Sequence, residues 1–190
     1  MTTLSREEKV FLLGLARKTI ETFLQNGKSY RVDPSGLPSS FINDGAVFVT
    51  LTKAGALRGC IGSLQAFQPL YLDVQERAIQ AASEDYRFSP VKAAELANLK
   101  IEISILSQPQ PLMYNSPDQL PGKLRAGIDG VILQDGPRRA TFLPQVWQQL
   151  PSKEEFLSHL CAKMGASPTL WKTKMLEVQT YQVEEFSEDE

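Results

Sequence analysis

The stretch Ala46-Val-Phe-Val-Thr-Leu-Thr-Lys-Ala-Gly-Ala-Leu-Arg-Gly-Cys-Ile-Gly62 predicts a β-hairpin. Its first half is rich in the β-branched and aromatic residues that favour strands. The segment Lys53-Ala-Gly-Ala56 then turns the chain back, so that the second half forms the other arm of the hairpin. That second arm carries Arg58 and Cys60, and the functional interpretation of the chain depends on these two residues.

Cys60 lies in unusual surroundings for a purely structural cysteine. Because side chains at i and i+2 of a strand share a face, the Arg58 guanidinium is expected to lie beside the thiol and to lower its pKa. Gly59 and Gly62 leave the backbone near the sulfur uncovered, which permits a bulge or the close approach of a ligand or another backbone. The competing interpretation is that Cys60 is a small buried hydrophobic residue, as many free cysteines are.

The segment Asp85-Tyr-Arg-Phe-Ser-Pro90 is a second place for chemistry, at the end of a predicted helix from Leu70 to about Ser83. Asp85 and Arg87 can form a surface ion pair of little energetic value, or they can orient a substrate. Phe88 is expected to anchor the loop by packing. The sequence alone leaves both interpretations of the Asp85–Arg87 pair open.

The remaining segments predict strands and helices without a regular βαβ alternation. Ser5 and Glu8 form a capping box for a helix that ends at Asn26-Gly27, with Val10 in its apolar stripe. Further predicted elements are an antiparallel strand at Leu99–Ile105, a hairpin around Asp135-Gly136-Pro137, a helix from Ser152 to Gly165 and a strand from Leu176 to Phe186. This pattern predicts an α+β fold with mainly antiparallel sheets and flanking helices.

Length and charge restrict the class of protein. The 190 residues fit a single domain over 1–190, whose acidic end at 187–190 is expected to be frayed. A formal net charge of -2 argues against general nucleic-acid binding, because there is no basic excess to neutralise phosphates. No window approaches the roughly 20 apolar residues of a membrane span, and the N-terminus lacks the apolar region of a signal peptide.

Cysteine and histidine usage predicts a cytoplasmic protein without a metal or cofactor. Cys60 and Cys161 provide neither a disulfide framework nor the spacing of a zinc or iron–sulfur site. His159 is the single histidine, which excludes a histidine-rich metal site within one chain. His159 and Cys161 fall on a predicted helix without a nearby acidic residue and are expected to be structural.

The segment Leu57–Gly62 resembles the signature of the AMMECR family, also called AmmeMemoRadiSam system protein A. The resemblance covers nearly the whole chain and continues through Asp85–Pro90, Glu102–Leu106, Phe142–Val146 and Lys163–Gly165. It implies a two-lobed domain in which the signature faces a groove between the lobes, and grooves of that kind bind ligands. The resemblance identifies a site without naming a reaction.

The first functional hypothesis is an enzyme, or enzyme component, that uses Cys60 as a nucleophile or redox centre on a small anionic or modified substrate. Arg58 would hold the thiolate or an anionic group, and Ser63 would donate a hydrogen bond. Asp85 and Arg87 would orient the substrate. This hypothesis lacks a general base, since no histidine lies near Cys60 in the sequence.

The second hypothesis is a binding or adaptor module that breaks no bond. Arg58, Arg87 and Lys163 would attract a small anionic ligand or a partner peptide, while Gly59 and Gly62 would allow close approach. The resemblance implies Memo-type and radical-SAM proteins as partners; the chain itself lacks the three-cysteine motif of a radical-SAM enzyme. A role in RNA or DNA handling finds no support in the charge balance. Substrate, turnover and oligomeric state stay open.

Overall fold

The computed structural model describes residues 3–188 and divides the chain into two compact units, one through Leu106 and again from Glu184, the other Ser107–Val183. The α-helices are α1 Arg6–Asn26, α2 Ser39–Ile42, α3 Leu70–Ser83, α4 Leu120–Lys123, α5 Lys153–Lys163 and α6 Leu170–Thr173. The strands are β1 Asp44–Lys53, β2 Ala56–Gly62, β3 Gln68–Pro69, β4 Leu99–Leu106, β5 Gln110–Pro111, β6 Gly130–Asp135, β7 Arg138–Phe142, β8 Glu177–Tyr181 and β9 Val183–Ser187. No helix within the described range is long and apolar enough to cross a membrane.

The first unit is built on a sheet in the order β2-β1-β4-β9, with the short strand β3 also paired to β1. β1 runs antiparallel to both β2 and β4. One face of β1 carries Val47, Val49 and Leu51, all fully buried in a core shared with α1 and α3. Because side chains alternate along a strand, the opposite face carries Phe48 and Thr50.

Helix α1 begins and ends as the sequence predicts. The Ser5 side chain accepts a hydrogen bond from the Glu8 N–H while the Glu8 side chain reaches back to Ser5, and Gly27 closes the helix at φ 73°. The prediction for Val10 is wrong, because this side chain is 61% exposed. The buried stripe instead comprises Leu12, Leu13, Leu15, Ala16, Thr19 and Ile20. Apolar residues on several faces of α1 explain the error, since periodicity alone does not select one of them.

The second unit has its own sheet, in the order β5-β8-β6-β7. The predicted hairpin around Asp135 is confirmed, with β6 antiparallel to β7. Helix α5 contacts this sheet through Phe156, whose ring meets the ring of Phe142 on β7 edge-on, with 5.2 Å between the centroids. Phe156 also stacks on Trp147 with 3.6 Å between the ring centroids. Phe156 and Trp147 belong to an apolar core that is separate from the core of the first unit.

The end of the chain differs from the sequence-based prediction. The single strand expected from Leu176 to Phe186 is two strands, β8 in the second unit and β9 in the first. Glu188, expected to be frayed, accepts hydrogen bonds from the Arg17 guanidinium and the Ile101 N–H. Residues 189–190 lie outside the described residues. The predicted α+β fold with mainly antiparallel sheets is confirmed.

Helix α3 lies so close to β2 that the contact requires glycine at position 59. A Cβ atom at Gly59 would lie 2.1 Å from the carbonyl oxygen of Ala81 on α3. We expect Gly59→Ala to lower the free energy of unfolding by about 1–3 kcal/mol, because overpacking forces the helix away from the strand. Equilibrium urea unfolding measures this change.

Gly122→Ala provides the control, because a Cβ atom at that position would meet nothing within 4 Å. Equal unfolding midpoints for the two alanine variants would contradict the requirement for close helix–strand contact at Gly59.

Candidate functional site

A β-bulge determines where Arg58 points. Leu51 pairs with Gly59 whereas Thr52 pairs with Leu57, so Arg58 is an extra residue in β2. The bulge interrupts the alternation on which the predicted Arg58–Cys60 pairing depends. The Arg58 guanidinium donates through Nε and Nη2 to Glu95, at 3.2 and 3.0 Å. Its remaining nitrogen, Nη1, donates to the carbonyl oxygen of Ser89 at 2.9 Å.

Glu95 is the partner of Arg58 that sequence reasoning missed. It lies on a 3-10 helix at Ala93–Asn98 and also accepts a hydrogen bond from Lys53 at 2.9 Å. The guanidinium of Arg58, and after it the ammonium of Lys53, hold the pKa of the Glu95 carboxyl well below its usual range. No local spacing could have revealed the pair, because Glu95 follows Arg58 by 37 residues.

The loop after α3 holds both main-chain groups of Cys60. The Cys60 N–H donates to Asp85 Oδ2 at 2.8 Å, and Arg87 Nη2 donates to the Cys60 carbonyl oxygen at 3.3 Å. Strand β2 is at the edge of its sheet, where outward main-chain groups lack a partner strand. The loop therefore takes the place of a neighbouring strand at Cys60.

We call the hydrogen bonds of Asp85 and Arg87 to the Cys60 main chain the cysteine clamp. Asp85 and Arg87 also bind each other tightly. Arg87 donates to the carboxylate through Nε at 2.9 Å, Nη2 at 2.6 Å and its own N–H at 3.1 Å. Asp85 is buried, yet these hydrogen bonds, with the Cys60 N–H as a further donor, hold the pKa of its carboxyl well below the usual range. Asp85 therefore stays charged and is a poor proton acceptor at neutral pH. The pair directs its hydrogen bonds at the Cys60 backbone.

The sulfur of Cys60 belongs to a row of three polar side chains. Thr50 lies opposite Cys60 on β1 and donates from Oγ1 to Sγ at 3.3 Å. Glu102 lies opposite Thr50 on β4, so the three Cβ atoms follow one another at about 5 Å per step. All three residues are half-buried and lie on the face of the sheet opposite the core. The alternation of β4 could have placed Glu102 on a polar face, but it could not have revealed its neighbours.

Gly62 and Ser63 are explained by contacts within the protein. A Cβ atom at Gly62 would lie 2.2 Å from the ring of Phe48, so glycine makes room for that ring. Ser63 Oγ donates to Asp73 Oδ2 at 2.5 Å. Asp73 is fully buried and was missed by sequence reasoning; it also accepts the Val47 N–H at 2.9 Å. Binding roles for Gly59, Gly62 and Ser63 stay predictions.

Lys163 belongs to the second unit and has its partners there. Its ammonium donates to the carbonyl oxygen of Thr141 at 3.0 Å and lies 5.0 Å from the centroid of the Phe142 ring. Cys161 on the same helix is fully buried, and burial raises the pKa of its thiol.

Within residues 3–188 no three histidine, cysteine, aspartate or glutamate side chains are grouped to hold a metal ion. The structure thus brings Cys60, Asp85 and Arg87 together, while Arg58 and Ser63 have other partners.

The low pKa of Asp85 predicts a pH-dependent contribution to stability. Because the folded-state pKa lies below the unfolded value, the stabilisation is present above the ordinary carboxyl pKa of about 3.9 and is lost as the pH falls further. We expect Asp85→Asn to lower the free energy of unfolding by about 1.5–3 kcal/mol at pH 7, the usual value of a hydrogen bond to a charged group. In urea unfolding from pH 7 to pH 2, the difference in free energy of unfolding between Asp85→Asn and the parent protein should become smaller as the pH falls.

The matched control is Asp118→Asn, because Asp118 is an exposed carboxylate. One contradicting result is that Asp85→Asn lowers the free energy of unfolding equally at every pH; another is that it does so by no more than Asp118→Asn. Either result would show that the cysteine clamp does not depend on charge.

The chain is similar over nearly its whole length to archaeal proteins. The family model described as AMMECR1 matches residues 13–186. A protein of Methanothermobacter thermautotrophicus is 41% identical over 187 residues, which are 98% of this chain and 97% of the relative. A protein of Methanosarcina mazei is 42% identical over 179 residues, covering 93% and 89%. The crystal structure of uncharacterized protein PH0010 from Pyrococcus horikoshii matches with a TM-score of 0.79 at 36% identity, covering 94% of this chain and 90% of that one. On these matches, the chain belongs to the AMMECR1 family.

Proposed function

We propose that the protein is an enzyme, or the component of an enzyme, in which Cys60 acts as a nucleophile on a small anionic substrate. One observation carries this proposal: Cys60 is fixed through its N–H, its carbonyl oxygen and its sulfur, yet its side chain is only half-buried. A cysteine that merely fills a core needs no such support. Cys161 provides the contrast, since it is fully buried.

Arg87 is the cation best suited to hold an anionic group of the substrate. Its side chain is 44% exposed, and its hydrogen bonds to Asp85 and Cys60 use Nε and Nη2. The two N–H groups of Nη1 donate to no described residue, which leaves them available to a carboxylate or phosphate. Arg58 uses all three guanidinium nitrogens on Glu95 and neighbouring carbonyl groups, so we assign it the role of a positioning residue.

The missing proton acceptor is supplied in this proposal by Glu102. In the resting site the Thr50 hydroxyl donates to Sγ. For Sγ to add to a carbonyl-type carbon, that hydroxyl rotates, accepts the thiol proton and passes its own proton to the Glu102 carboxylate. The electron pair of the broken carbonyl π-bond moves to the oxygen, where Arg87 Nη1 can stabilise the negative charge. The cross-strand order of Cys60, Thr50 and Glu102 supports this route. Asp85 is not assigned this role, because its hydrogen bonds hold the pKa of its carboxyl well below the usual range.

An adaptor that binds a Memo-type or radical-SAM protein is the second candidate function, and Tyr86 favours it. This aromatic side chain is 95% exposed at the tip of a loop that Asp85 and Arg87 fix to β2. A large, rigidly presented aromatic group is typical of a residue that contributes strongly to protein binding. In this role the cysteine clamp would hold the loop in place for a partner.

Alkylation tests whether Cys60 is available for chemistry. We expect iodoacetamide to modify Cys60 in the folded protein, because the side chain is half-buried, and to reach the fully buried Cys161 only on unfolding. Peptide mass spectrometry after labelling with and without urea measures both residues in one sample. Equal protection of the two thiols in the folded state would remove Cys60 as a nucleophile.

Complementation of a strain that lacks the gene separates the two functions. The nucleophile proposal predicts that Cys60→Ser folds normally but fails to rescue, as does Glu102→Gln, while Tyr86→Ala rescues. The adaptor role predicts that Cys60→Ser rescues the strain and that Tyr86→Ala does not. Asp118→Asn serves as the control for expression and folding. Rescue by Cys60→Ser would overturn the nucleophile proposal, whatever the outcome with Tyr86→Ala.

A further inference from the structure

Helix α1 borders a groove that takes no part in the Cys60 site. A cavity of about 320 Å³ lies between α1 and the extended segment Tyr30–Asp33. A second cavity, of about 570 Å³, shares Tyr30, Arg31 and Val32 and reaches α3 at Tyr71 and Leu72. We call the two cavities together the α1 groove. All of its lining residues belong to the first unit.

The α1 groove has an exposed apolar lining. Val10 is 61% exposed and Phe11 is 40% exposed, and Tyr30 forms the facing wall. The Phe11 ring is held in place by stacking on the buried ring of Phe41, with 5.4 Å between centroids. A fixed aromatic group beside an exposed aliphatic one is suited to receive an apolar side chain of another molecule.

At Gly14 the groove is lined by helix backbone without a side chain, and no contact within residues 3–188 requires glycine at this position. It lies in the interior of α1, where glycine destabilises a helix relative to alanine. A Cβ atom at Gly14 would meet nothing within 4 Å, so no neighbouring group requires glycine there. Val10 and Lys18 lie one turn before and after it on the same line of the helix. Another chain can therefore approach the helix backbone closely at Gly14.

The charge of the groove is positive although the chain has a net charge of -2. Lys18, Lys28 and Arg31 line it, and none of them forms an ion pair with a carboxylate among residues 3–188. The Lys18 ammonium lies 5.8 Å from the centroid of the Tyr30 ring. Asp33, the carboxylate in the lining, is engaged with the Ser35 N–H at 3.0 Å.

We propose that the α1 groove binds an acidic peptide segment of a partner protein. Its carboxylates contact Lys18, Lys28 and Arg31, and an apolar side chain packs over Gly14 beside Val10. Charge complementarity selects the acidic peptide as the occupant, because unpaired cations flank an apolar floor. This binding is independent of the chemistry proposed for Cys60.

Selection from a random dodecapeptide library displayed on phage tests the proposal, with counter-selection on Gly14→Trp. We expect the enriched peptides to combine net negative charge with an aromatic or branched aliphatic residue. A fluorescein-labelled synthetic copy should bind the parent protein in fluorescence anisotropy and bind Gly14→Trp and Arg31→Glu at least about tenfold more weakly. Gln25→Trp and Arg139→Glu, exposed positions outside the groove, should bind like the parent protein.

Gly14→Ala separates binding from folding. It should raise the thermal midpoint, since alanine favours the helix, while it weakens peptide binding. Failure to enrich any peptide, enrichment of basic peptides, or equal binding to Gly14→Trp would each overturn the proposal. Sedimentation that showed a dimer of the parent protein and a monomer of Gly14→Trp would also overturn it, because the occupant would then be a second copy of the chain.

Discussion

The attachment of helix α3 to the β1–β2 hairpin depends on two buried carboxylates that must be fully satisfied. Asp73, in the first turn of α3, accepts the N–H of Val47 on β1. Asp85, just beyond the other end, accepts the N–H of Cys60 on β2. A buried charge without partners is costly, so each carboxylate restricts the position of the main chain that it binds. Between them, Gly59 lets the helix backbone approach the strand.

This arrangement explains why the cysteine lies where it does. The bulge at Arg58 sends its guanidinium to Glu95, and the strand then presents Cys60 on the face that Thr50 and Glu102 share. The outward N–H and C=O groups of an edge strand have no neighbouring strand to pair with. At Cys60 the side chains of Asp85 and Arg87 bind these two groups instead. The same hydrogen bonds that fix the fold at β2 therefore also fix the candidate nucleophile.

Local signals in the sequence predicted much of the fold, whereas contacts between distant residues could not be predicted. The capping box of Ser5 and Glu8, the hairpin that carries Cys60, and the α+β class all follow from short-range patterns, and all are confirmed. The family resemblance is confirmed as well. The side-chain partners of Arg58 were missed because Arg58 is an extra residue in β2. Such a bulge interrupts the alternation of side chains, and nothing in the local sequence composition indicates it. The partners Glu95 and Asp73 were missed because each pair is formed by the tertiary fold. The roles of Cys60, Asp85 and Arg87 in binding or chemistry remain predictions.

The course of the chain has a consequence for synthesis and folding. The second unit is inserted between β4 and β9, two neighbouring strands of the first sheet. During synthesis, one edge of β4 therefore stays unpaired until the whole inserted unit and β9 have emerged from the ribosome. An exposed strand edge invites pairing with other chains, so this interval is when a nascent chain is most prone to aggregate. Glu184, at the start of the returning segment, accepts hydrogen bonds from the N–H of Leu4. Completion of the first unit thus joins a residue that precedes α1 to the segment that follows the inserted unit, and a chain truncated before β9 lacks the strand that pairs with β4.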